Sequence, residues 1–133
     1  MIALDTSAIM AIALAEDEEE AFSRLVAMGA VVGAPTLIET RTVLIDRLGS
    51  AERADLFLDA FLDHPSIDVA PFTVEHYRAA THAIDLFGKG RGNKDQLNLG
   101  DCMSYATAKC ARLPLLFKGG DFIHTDLAAA YRL

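Results

Sequence analysis

With 133 residues, 52% of them hydrophobic and 23% charged, the chain suits one domain spanning 1–133 with a substantial core, and it excludes disorder. The net charge of −7 lacks the basic balance of most phosphate-binding proteins, yet it suits a carboxylate cluster that takes a cation. No apolar run is long enough to cross a bilayer, and the first apolar stretch runs straight into Glu16-Asp17-Glu18-Glu19-Glu20 without a positive leader, which argues against export. Cys102 and Cys110 fall in one predicted helix, on the order of 12 Å apart and beyond disulfide reach, so a reducing cytoplasm is expected.

In chain order, residues 2–5 read as a strand and 6–14 as a helix capped by Asp5 or Thr6. The acidic run 16–20 reads as the solvated start of a second helix over 17–29, where negative charge complements the helix dipole. Residues 31–34 predict a second strand, and Pro35 opens a helix through Leu48. A fourth helix spans 51–63, with Leu56, Phe57, Ala60 and Phe61 as its apolar repeat. Residues 67–70 alternate as a third strand. Thr73 caps the next helix, which runs to Phe87, with His76 in the capping-box position. Gly88 to Lys94 is a glycine-rich, basic loop. Asn98 caps a helix from Leu99 to Arg112, Leu115-Leu116-Phe117 is a buried strand, and 121–125 forms at most a helical turn. A last strand is expected over 127–131. Strands alternating with helices predict an α/β fold, a parallel sheet covered on both faces.

Four acids stand where they could converge: Asp5, Glu39, Asp101 and Asp121. Singly, each has a plain structural reading as a helix cap or a surface carboxylate. Together they say more. Asp5 and Asp121 follow short apolar strands and so share one edge of a parallel sheet. Asp101 opens the helix that leads into the strand before Asp121, and its row adjoins an apolar stripe of Leu99, Cys102, Met103, Ala106 and Cys110. Glu39 lies beside Ile38, Leu44 and Ile45. Carboxylates ~4 Å apart repel by ~4 kcal/mol per pair at an effective dielectric of ~20, so such a group needs a cation or a proton. Oxygen ligands suit Mg²⁺ or Mn²⁺, and the chemistry they support is activation of water against a phosphoryl centre.

Leu4-Asp5-Thr6-Ser7-Ala8, Glu39 in its helix, Leu97-Asn98-Leu99-Gly100-Asp101-Cys102 with Ser104-Tyr105-Ala106, and Leu115-Leu116-Phe117-Lys118-Gly119-Gly120-Asp121-Phe122 with Thr125-Asp126 resemble the PIN-domain ribonucleases. The similarity is closer to the VapC-type toxins of bacterial toxin–antitoxin pairs, and it extends over residues 1–126. The resemblance implies a three-layer PIN-like domain with a short central parallel sheet, and a Mg²⁺-dependent endoribonuclease that hydrolyses RNA. It implies Asp5, Glu39, Asp101 and Asp121 as the acidic quartet, with Asp5 and Asp101 as direct metal ligands and Thr6 or Ser7 orienting a ligand. It also implies a homodimer and a cognate VapB-type antitoxin that blocks the groove. Many relatives carry an acid where this chain has Gly120, so Asp126 is a reserve for the fourth position.

Lys89, Arg91 and Lys94 give the 88–94 loop a charge suited to RNA phosphates, with Arg41 and Arg47 as weaker candidates. The four histidines show no metal-ligand spacing on a shared face. Two other readings remain open. One is a catalytically inert PIN-like module that binds RNA or protein. The other is an aspartate-nucleophile phosphatase, whose second aspartate would fall where Ser7 stands.

Overall fold

Three residues set the plan of the molecule. In β1 (Ile2–Leu4), Ile2 and Leu4 enter one hydrophobic cluster and Ala3 enters another, because successive strand residues point to opposite faces. The computed structural model describes residues 1–90 and 96–132. Around β1, strands β2 (Ala30–Gly33), β3 (Ile67–Ala70) and β4 (Leu115–Leu116) form a parallel sheet in the order β3-β2-β1-β4.

The helices are α1 (Thr6–Ala13), α2 (Glu19–Ala27), α3 (Ala34–Leu48), α4 (Ala51–Leu62), α5 (Val74–Phe87) and α6 (Leu99–Ala111). Residues of α1 to α4 pack with Leu4, Val32 and Leu116 on one face of the sheet. Residues of α5 and α6 pack with Ala3, Val31 and Leu115 on the other. This division follows from right-handed crossovers. The connections from β1 to β2 and β2 to β3 run one way and share a face, whereas β3 to β4 returns across the sheet and takes the opposite face. The strand order therefore reverses between β1 and β4, and the crevice beyond their carboxyl ends is where open α/β sheets bind ligands.

The predicted elements match in order and kind, with corrections at particular positions. The expected last strand over 127–131 is a single bridge, Leu115 to Ala129. Leu115 donates to Ala128 O and accepts from Ala130 N–H, both at 2.9 Å. Two-residue β4 offers little more to pair with, and Tyr131 turns its ring edge-on to Phe22. Ile38 and Leu99, both assigned to apolar stripes, are 70% and 62% exposed, and Leu56 is also exposed. The buried stripe of α3 is instead Thr36, Thr40 and Leu44, spaced four apart on one helix face. In α4 it is Ala54 and Leu58, and Ala60 is exposed. Helix α6 is buried around most of its circumference, because α5, α3 and the sheet all lie against it. No helix among the described residues is long and apolar enough to cross a membrane.

Candidate functional site

Asp5 sits where β1 ends and α1 begins, at the strand-order reversal. It is the N-cap of α1, and its Oδ2 accepts from Ser7 N–H at 3.0 Å and from Ser7 Oγ at 2.6 Å. The other oxygen, Oδ1, is buried with no hydrogen-bond partner among the described residues. An uncompensated buried carboxylate oxygen costs upward of ~1–3 kcal/mol, so this atom marks a place for a positive ligand. With Oδ2 held by Ser7, the residue a phosphatase would replace by a second aspartate serves to fix the first one.

Asp101 arrives from the opposite face, as the third residue of α6. Asn98 caps that helix in a reciprocal box: Asp101 N–H donates to Asn98 Oδ1 at 2.8 Å, and Asn98 N–H donates to Asp101 Oδ2 at 3.1 Å. The Asp101 carboxyl is pushed up to about 7, first by burial, then by the charges of Asp5, Asp121 and Glu39, against the opposing hydrogen bond from Asn98. The other three acids predicted from the sequence thus all act on the Asp101 carboxyl group.

Glu39 is brought in by α3. Thr6 Oγ1 donates to its Oε1, and Thr40 Oγ1, which donates to Thr36 O at 2.7 Å, also stands 3.2 Å from Thr6 Oγ1. Thr36 and Ser104 hydroxyls meet at 3.3 Å, tying α3 to α6 beneath the acids. These buried hydroxyls were missed from sequence, although Thr36, Thr40 and Leu44 show the spacing of a core stripe once threonine is counted as half apolar.

Asp121 is exposed, on the turn after β4. Asp126 is engaged elsewhere, accepting from Tyr105 Oη at 2.7 Å and from Lys109 Nζ at 2.6 Å. Burial raises the Asp126 carboxyl, but those two donors outweigh it and hold it below the ordinary aspartate range. Its charge is not among those acting on Asp101.

Lys89 is exposed, and its N–H donates to Leu97 O at 2.9 Å. Arg91 and Lys94 lie outside the described residues. Arg41 forms a fork with Asp55 across α3 and α4, at 2.7 and 3.1 Å. The acidic run is not wholly solvated, since Glu16 and Glu18 both pair with Lys118.

Among the described residues no three acid, histidine or cysteine side chains form a ready-made metal cage. The donor set still fits a magnesium-like ion, which binds through one or two carboxylates and keeps water and substrate oxygens for the rest. Asp5, with its orphaned oxygen, and Asp101, destabilised as an anion, are the two that fit.

A sequence model of the PIN domain matches residues 2–127. The chain belongs to the PIN domain family. It is 38% identical over 127 residues to "Ribonuclease VapC36" of Mycobacterium tuberculosis, covering 93% of this chain and 89% of that protein. The fold is similar to crystalline VapC20 of Mycobacterium tuberculosis, described as a toxin cleaving the sarcin–ricin loop, with a TM-score of 0.78 at 20% identity over 99% of this PIN domain and all of that chain. A toxin–antitoxin complex from Klebsiella pneumoniae is also similar, with a TM-score of 0.72 at 15% identity and full coverage of both chains.

Proposed function

We propose that this PIN domain is a divalent-metal-dependent endoribonuclease, the toxin of a toxin–antitoxin pair, acting as a homodimer and restrained by a small VapB-type antitoxin. The observation that carries the reading is the buried Oδ1 of Asp5, without a partner among the described residues, beside an Asp101 carboxyl strained by three other acids. A cation there relieves both penalties at once. Relatives named VapC ribonucleases, at 38% identity over most of the chain, support the RNA substrate.

Asp5 and Asp101 would hold Mg²⁺ or Mn²⁺, which when bound lowers the pKa of a water and offsets charge on the phosphoryl group. The rest is done by the protein. Ser7 and the N-terminus of α1 fix the Asp5 carboxylate, and Asn98 fixes Asp101. Thr6 holds Glu39 at the edge of the cluster, where its carboxylate can take a proton from an attacking water. Asp121, exposed on its turn, completes the acidic rim that meets the scissile phosphodiester.

Incubating purified protein with RNA in Mg²⁺, Mn²⁺ and EDTA tests this. Internal cleavage with either cation and none in EDTA is expected. RNA binding without cleavage under every metal condition would instead identify an inert binding module.

A further inference from the structure

Lys118 joins parts of the chain that lie far apart in sequence. Its N–H donates to Ser7 Oγ at 2.9 Å, and that hydroxyl donates onward to Asp5 Oδ2 at 2.6 Å. Its side chain reaches the segment between α1 and α2, where Nζ stands 3.3 Å from Glu16 Oε1 and 3.1 Å from Glu18 Oε1. The Glu18 contact is an ion pair by distance, without a directed hydrogen bond.

The Glu18 side chain is only 15% exposed, against 73% and 80% for the surface pair Arg24–Glu20, so solvent and salt screen the Lys118 pair less. The next residue, Gly119, turns the chain at φ +97°, a conformation that favours glycine. Asp121 follows two residues later.

We propose that Lys118 is a positioning residue: Ser7 grips its main chain, Glu16 and Glu18 grip its side chain, and together they hold the loop carrying Asp121 beside Asp5. The proposal rests on the reading of Asp121 as one of the catalytic acids. A lysine near such a site could otherwise serve as a phosphate contact, but a phosphate would have to draw this ammonium from two carboxylates. Within the acidic run, Glu16 and Glu18 thus have a defined task, which is to anchor the loop that carries Asp121.

The test compares wild type with Lys118→Met, Lys118→Arg and the double variant Glu16→Gln/Glu18→Gln, by amide exchange and by RNA cleavage kinetics. In the double variant, exchange of the Lys118 amide should accelerate about fivefold while core amides of α6 stay unchanged. Both Lys118→Met and the double variant should lower kcat about fivefold with little change in KM, and Lys118→Arg should restore most of it. Unchanged Lys118 amide exchange in the double variant would overturn the proposal. So would a Lys118→Met variant with raised KM and a weaker salt dependence beside a double variant of normal kcat, the signature of a phosphate contact. If wild type cleaves no RNA, the ribonuclease reading fails, and amide exchange alone still decides the role of Lys118.

Discussion

Glu39 and Gly100 touch so closely that a Cβ on Gly100 would stand 1.7 Å from Glu39 Oε2 and 2.4 Å from its Cδ. The first turn of α6 therefore leaves a notch into which the α3 carboxylate fits, next to Asp101. Gly100→Ala should expel Glu39 from that notch. The helix itself gains up to ~1 kcal/mol from alanine, so the melting temperature should move little. RNA cleavage should fall by about one to two orders of magnitude, as for other misplaced catalytic groups. Paired thermal melts and kinetics check this.

Thr6 is the donor that holds Glu39 from the other side. Thr6→Ser keeps that hydroxyl and should keep activity. Thr6→Val leaves the half-buried carboxylate short of a partner, with an expected cost of ~1–3 kcal/mol and a fall in kcat. Urea denaturation and cleavage assays of the two variants separate these outcomes.

Asp101 makes the metal-free protein sensitive to pH. Its folded pKa, about 7, lies above the ordinary aspartate value of 3.8. The folded state therefore binds the proton more tightly than the unfolded chain. That contribution to stability is fully present below pH ~4 and is lost as pH rises through ~7. In chelator, stability should decline across this window, and Asp101→Asn should flatten the decline and be the more stable protein at pH 8. Metal binding should release a proton, so Mn²⁺ affinity should weaken as pH falls below ~7. Denaturation curves and Mn²⁺ titrations at pH 5.5 and 8 measure both effects.

Asp121 and Asp126 should part company. Asp126→Ala strands the fully buried Tyr105 hydroxyl and releases Lys109, so it should cost ~1–3 kcal/mol of stability while leaving most cleavage intact. Asp121→Asn should do the reverse, abolishing cleavage with stability nearly unchanged. Side-by-side urea curves and kcat values decide between the two acids.

Much of this could be read from the residues alone, for physical reasons that also explain the failures. The strands are short and almost wholly apolar, and the helices carry clear stops such as Gly49 and caps such as Asn98, so their order was legible. Even the unusual capping box with His76 is present, its Nδ1 accepting from Thr73 N–H at 3.2 Å. Asp5, Asp101 and Asp121 could be placed near one another because strand ends and helix starts converge in a parallel fold, whereas Glu39, in the second turn of α3, follows no such rule. The faces of the helices were less so. Leu99 and Ile38 point outward because α3 and α6 meet through threonine, serine and glycine rather than through their larger apolar residues. The tie from Lys118 to Glu16, Glu18 and Ser7 depends on which strand borders β1, and no local pattern carries that. Asp126, the reserve by sequence, is held by Tyr105 and Lys109 of α6, a pairing that no local pattern carries.

The central claim is that Asp5 anchors a divalent cation used to cut RNA. The most direct measurement is cleavage of RNA by wild type and Asp5→Asn, each with Mg²⁺ and with EDTA, alongside circular dichroism. Wild type should cleave only with Mg²⁺. Asp5→Asn should be folded and inactive in both conditions. Equal, EDTA-resistant cleavage by the two proteins would contradict the assignment of Asp5 and the metal-dependent chemistry together.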